Sequence, residues 1–138
     1  MDNFNMLKEI TTVTPILIVD DNESLSEILA ENLERLGIKS IIFSRPLDVV
    51  SYVQDNKENI HLIVTDYHMP ELTGLEMIQA IHQEVQISYV LMSGQLQEVA
   101  DDYCKSEIAR LSKPFNTDEL ADLIAKFYQR RSKYALEA

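Results

Sequence analysis

Tryptophan is missing from this chain, cysteine occurs once, and 138 residues hold only 3 Gly and 4 Pro. A sequence so short of Gly and Pro has no flexible linker or low-complexity tract, and its length suits one domain with a real core. The lone Cys104 excludes an internal disulfide and fits a reducing, cytoplasmic compartment. No apolar run nears the roughly 18 residues of a membrane span. The opening MDNFNMLKEITTV has neither the basic end nor the apolar centre of a secretory signal. Positive charge is the other scarcity: 12 Lys and Arg face 23 Asp and Glu, for a formal charge of −11. Such a surface repels a phosphate backbone, so cations and basic protein surfaces are the expected partners, not nucleic acid or membrane. Lys126, Arg130, Arg131 and Lys133 gather near the end, where they are expected to complement the negative end of a closing helix.

What the chain does have is a regular alternation of short apolar runs with helical patterns. PILIVD (15–20), IKSIIF (38–43), IHLIVT (60–65), ISYVLM (87–92) and the weaker IARLS (108–112) read as strands. Between them, Leu25, Ile28, Leu29, Leu33 and Leu36 recur at helical spacing until Gly37 stops the helix. Ser44 is placed to cap a helix with Leu47, Val50 and Val53 on one face. A helix over 74–83 turns Leu75, Ile78 and Ile81 inward, and another carries Leu96, Val99, Ala100 and Tyr103. The last opens on Asn116 and Glu119, a capping-box spacing, and buries Leu120, Leu123, Ile124 and Phe127. Residues 1–14 read as an N-terminal extension, either disordered or a short helix with Phe4, Leu7 and Ile10 on one stripe, 15–130 as the domain, and 131–138 as a tail. Five continuous apolar strands alternating with five helices imply a parallel sheet covered on both faces, a three-layer α/β sandwich.

The polar residues fall at the carboxyl ends of those strands: Asp20 and Asp21, then Asp66, then Ser93 and Gly94, then Lys113 and Pro114. In an open parallel sheet that edge binds ligands. With strand order 2-1-3-4-5, the first and third strands are neighbours about 5 Å apart, and Asp20, Asp21 and Asp66 converge. Three close carboxylates repel one another unless neutralised. Lys113 supplies one positive charge, and the rest invites a hard divalent cation, best Mg²⁺, which needs few protein oxygens. Asp66 is then a candidate nucleophile for a phosphoryl group, with Lys113 and the Ser93 hydroxyl stabilising its oxygens. Taken singly, each group also has a bland reading as a helix cap or turn residue.

In order and after the right strands, Ile18-Val19-Asp20-Asp21-Asn22, Asp66-Tyr67-His68-Met69-Pro70 with Gly74, Met92-Ser93-Gly94 and Lys113-Pro114-Phe115 resemble the receiver domain of two-component response regulators. The resemblance implies a flavodoxin-like (βα)5 fold of order 2-1-3-4-5. It makes Asp66 the phosphoacceptor, with Asp21 a direct Mg²⁺ ligand, Asp20 a ligand through water, and His68 a donor of its backbone carbonyl. Ser93 takes the role of switch hydroxyl, Gly94 keeps the approach open, and Lys113 pairs with the phosphoryl group ahead of a cis bond to Pro114. Such a domain is not an enzyme in the ordinary sense. It accepts a phosphoryl group from a histidine kinase or phosphotransfer protein and signals to a downstream protein by contact, alone or as part of a larger regulator.

Two positions depart from the family. Arg110 stands where an aromatic switch residue is common, so it is expected to help choose the partner instead. The turn YCKSEIARLS lacks the small Gly-Ala turn before the fifth strand. The His68 side chain either leans over an acyl phosphate or is an exposed loop residue whose carbonyl alone matters. A phosphatase of the haloacid-dehalogenase class would need Asp-x-Asp after the first strand, a spacing that Asp20-Asp21-Asn22-Glu23 lacks. A docking module that is never phosphorylated would have no use for all of Asp20, Asp21, Asp66, Ser93 and Lys113.

Overall fold

The computed structural model describes residues 3–82, 87–94 and 108–137. Its strands are β1 (Ile16–Val19), β2 (Ser40–Phe43), β3 (Leu62–Asp66), β4 (Ser88–Ser93) and β5 (Ile108–Ser112). They form one parallel sheet in the order β2-β1-β3-β4-β5. The described helices are α1 (Asn3–Val13), α2 (Glu23–Arg35), α3 (Pro46–Asp55), α4 (Gly74–His82) and α5 (Thr117–Glu137). The expected helix with Leu96, Val99, Ala100 and Tyr103, the turn before β5 and Cys104 lie outside the described residues.

Strand alternation splits the core into two layers. Ile16 and Ile18 join Val64 and Met92 on the face covered by Leu7 of α1, Leu33 of α2, and Leu120 and Ile124 of α5. Leu17 and Val19 join Ile63 and Leu91 on the opposite face, against Val49 and Val53 of α3 and Met77 and Ile81 of α4. Burial on both faces is why these strands read as continuous apolar runs. At Gly37 the chain takes φ 86°, a conformation that costs Gly little, and turns from α2 into β2.

Several sequence expectations shift in detail. Leu25 and Ile28 of α2 and Leu47 of α3 face outward, while Val49 takes the buried place in α3. Arg45, not Ser44, precedes α3, and Pro46 opens it. Residues 3–13 are a helix whose Leu7 is fully buried and which packs on α5. Thr11 fastens it by donating to the Leu7 carbonyl (2.7 Å) and accepting from the Lys39 amide (2.8 Å). Because α5 continues to Glu137, Lys126, Arg130, Arg131 and Lys133 precede its last turn. The last turn of α5 therefore holds no basic residue, and the expected placement of this cluster at the helix end is not met.

Candidate functional site

Each strand delivers its polar residue to one edge because the strand stops there. β1 ends at Val19, and the Asp20 amide, at 3.1 Å from the Phe43 carbonyl, makes the last bond to β2. Asp20 Oδ1 then accepts from the Asn22 amide at 3.0 Å, while the Asn22 side chain caps α2 through the Leu25 amide at 3.2 Å. The capping role falls to Asn22, which leaves Asp21 exposed and the second oxygen of Asp20 turned to the site. Asp66 closes β3 beside Met92 of β4. Ser93 closes β4 opposite Ser112, and its carbonyl accepts from the Lys113 amide at 2.9 Å.

One carboxylate oxygen from each of Asp20, Asp21 and Asp66 lies within 4.8 Å of the other two. Lys113 Nζ stands 2.9 Å from Asp66 Oδ1 and 3.6 Å from Asp20 Oδ2. Burial pushes the Asp20 carboxyl above its ordinary value; the Asn22 amide opposes this, and Asp66 adds to it. Lys113 is raised as well, because its contacts with Asp66 and Asp20 outweigh the burial that disfavours its charge. One ammonium for three carboxylates leaves the pocket net negative. The donors are all carboxylate oxygens at a spacing a small hard cation can draw together, so the residues fit Mg²⁺.

The remaining expected residues fall around this cluster. His68 is exposed two residues beyond Asp66, its ring edge-on to Tyr67 at 4.7 Å. Gly94 is exposed, and a Cβ there would meet nothing within 4 Å. The Lys113–Pro114 bond is cis. Arg110 is half-buried opposite Leu91, two residues back from Ser112 on β5. It belongs to the other sheet layer and not to the carboxylate pocket.

Three features escaped the sequence reading. Thr73 and Glu76 form a reciprocal capping box at the start of α4, with bonds of 2.9 and 3.2 Å, legible in the Thr-x-x-Glu spacing. Arg45 and Glu71 form a two-point ion pair with no local signal, 26 residues apart. An apolar groove of about 650 Å³ opens beside Asp20 and Lys113, walled by Leu25, Ile28, Leu29 and Phe115.

Comparisons with known proteins bear on the family and the fold. The chain matches the response regulator receiver domain family over residues 16–125. It is 32% identical over 123 residues to the alkaline phosphatase synthesis transcriptional regulatory protein PhoP of Bacillus subtilis, covering 87% of this chain and 50% of that protein. It is 24% identical over 120 residues to sporulation initiation phosphotransferase F of the same organism, covering 85% and 95%. Against other curated relatives the chain spans as little as 18% or 22% of their length. A receiver domain protein from Clostridium thermocellum superposes with a TM-score of 0.76 at 21% identity, covering 88% and 98% of the two chains. TrrA from Thermotoga maritima, solved in complex with Mg²⁺ and BeF, does so at 0.70 and 24%, covering 83% and 98%. None of the described helices is long and apolar enough to cross a membrane. With the family match running from the first residue of β1 into α5, through every strand that ends at the pocket, this chain belongs to the response regulator receiver domains of two-component signalling.

Proposed function

We propose that Asp66 accepts a phosphoryl group from a phosphohistidine on a sensor kinase or phosphotransfer protein in the cytoplasm. The observation that carries this reading is the pairing of buried Asp66 with Lys113 at 2.9 Å inside a cluster of uncompensated carboxylates. An Asp66 oxygen attacks phosphorus, the donor P–N bond breaks, and the imidazole leaves and takes up a proton. Lys113 follows the charge onto the phosphoryl oxygens, and Ser93 at the tip of β4 donates to one of them. Asp20, Asp21, Asp66 and the His68 carbonyl would hold Mg²⁺, which supplies charge neutralisation during transfer. The exposed Leu25 and Ile28 beside the groove give a donor protein apolar surface to rest on next to the pocket. The domain catalyses only its own phosphorylation and dephosphorylation, and its output is contact with a downstream protein on the surface around Gly94 and Arg110, with buried Ser93 as the switch beneath it.

Incubation with Mg²⁺ and a small acyl-phosphate donor, read by intact mass, tests this directly. One added phosphoryl on the wild type and none on Asp66→Asn is expected. An adduct that survives in Asp66→Asn would place the chemistry elsewhere. For Arg110→Ala, normal phosphorylation with altered partner affinity is expected, and unchanged affinity would remove Arg110 from the output surface.

A further inference from the structure

The loop from Tyr67 to Thr73 leaves Asp66 and returns to α4, with His68 two residues beyond Asp66. It is fastened at both ends. The Gly74 amide donates to the Tyr67 carbonyl at 2.8 Å, and the Thr73–Glu76 box holds the exit. At its apex Glu71 adopts φ 73°, a left-handed conformation that a residue with a Cβ leaves readily unless something holds it. That something is Arg45, whose Nε and Nη2 each donate at 3.0 Å to the two Glu71 carboxylate oxygens. A planar fork meeting both oxygens fixes orientation as well as distance. Arg45 occupies the N-cap of α3 but makes no local capping bond, so its side chain is spent on this loop.

We infer that Arg45 and Glu71 are positioning residues: their ion pair clamps the 67–73 loop so that His68 stays beside the cation pocket. The inference rests on reading Asp20, Asp21 and Asp66 as that pocket, and it makes a prediction that bare electrostatics does not. Acting through space, Arg45 repels a cation and Glu71 attracts one, so their removal would shift Mg²⁺ affinity in opposite directions. Acting as a clamp, both removals weaken it.

The test uses Arg45→Ala, Glu71→Ala and the double exchange Arg45→Glu with Glu71→Arg. Mg²⁺ affinity is measured by titration, and exchange of the Leu72 and Gly74 amides is measured in the metal-free protein. Each single variant is expected to weaken Mg²⁺ binding and to speed both amides by about threefold, the scale of a well-formed exposed ion pair. The double exchange recovers most of both losses. Affinity shifts of opposite sign, or faster exchange with unchanged affinity, would overturn the positioning role. Unchanged exchange in both single variants would overturn the clamp. A wild type that binds no Mg²⁺ would instead refute the pocket, and the exchange data would still decide whether the loop is clamped.

Discussion

Replacing Asp20 by Asn removes one member of a like-charged cluster, and in the metal-free protein it is expected to stabilise the fold. Asp20 is only 6% exposed, and one of its oxygens lies within 4.8 Å of an oxygen of Asp66 and of Asp21. At that separation two carboxylates repel by about 3.5 kcal/mol at an effective dielectric near 20 and by about 1 kcal/mol in water. Buried Asp66 takes the larger value and exposed Asp21 the smaller, a relief of about 4.5 kcal/mol. Against this stands the attraction to Lys113 Nζ at 3.6 Å, on a side chain 33% exposed. Between the same limits that attraction is worth about 1 to 4.5 kcal/mol. The Asn side chain still accepts from the Asn22 amide, and the net, between about 0 and 3.5 kcal/mol, is a gain of about 1–2 kcal/mol at its centre. The raised Asp20 pKa, caused first by burial, has the same sign. Thermal unfolding in EDTA should show Tm rising by about 3–8 °C. At Mg²⁺ ten times its Kd the wild type gains about 1.4 kcal/mol, and Asp20→Asn gains far less. A metal-free Asp20→Asn that melts at or below the wild type would refute the repulsion argument.

Three further outcomes follow from the packing and charge of this fold. A Cβ on Gly74 would stand 2.5 Å from the Asp66 carbonyl oxygen and 2.9 Å from Leu91 Cδ1. Gly74→Ala should therefore cost about 1–3 kcal/mol in a urea titration, and a variant as stable as the wild type would contradict the close approach. Leu7→Ala should cost about 2–5 kcal/mol, because Leu7 is fully buried; a loosely attached α1 would show no loss. The folded pKa of Lys113 lies above 10.5, so its stabilising contribution is complete below that pH and is lost as pH rises through the raised value. The stability difference between wild type and Lys113→Ala should accordingly shrink above pH 10.5, and a constant difference would count against the ion pairs.

The strands and the site were legible for the same reason. Parallel strands buried on both faces are continuous apolar runs, and any charge at their ends must sit on the sheet edge. Helix faces were less legible. Leu25 is 54% exposed and Leu47 43%, although both fit an apolar stripe. Each sits on the outward side of its first turn, while Ser26 beside Leu25 and Pro46 beside Leu47 take the buried places. Arg45 and Glu71 could not be read at all, since their meeting depends on where α3 and the loop after β3 are carried by the sheet, not on any spacing along the chain.

Strand alternation also sorts the site residues in a way that constrains the proposed switch. Asp20, Asp66 and Lys113 continue the parity of Ile18, Val64 and Leu111, which face α2 and α5. Ser93 and Arg110 continue the parity of Leu91 and Ile108, which face the layer of α3 and α4. On the proposed reading, the phosphoryl group is gained on one face while the output residues belong to the other. Ser93 adjoins both: its carbonyl accepts from the Lys113 amide at 2.9 Å, and its side chain shares a layer with Arg110, about 8 Å away across β5 from strand spacing alone. Drawing the Ser93 hydroxyl toward a phosphoryl on Asp66 must therefore disturb the Leu91–Arg110 layer, because packed layers do not deform freely. Ser93→Ala should still take up phosphoryl with Lys113 intact, yet lose most of the difference in partner affinity between the phosphorylated and unphosphorylated forms. If that difference persisted at its wild-type size, the coupling would have to run through Lys113 and α5 instead, on the face where the charge arrives.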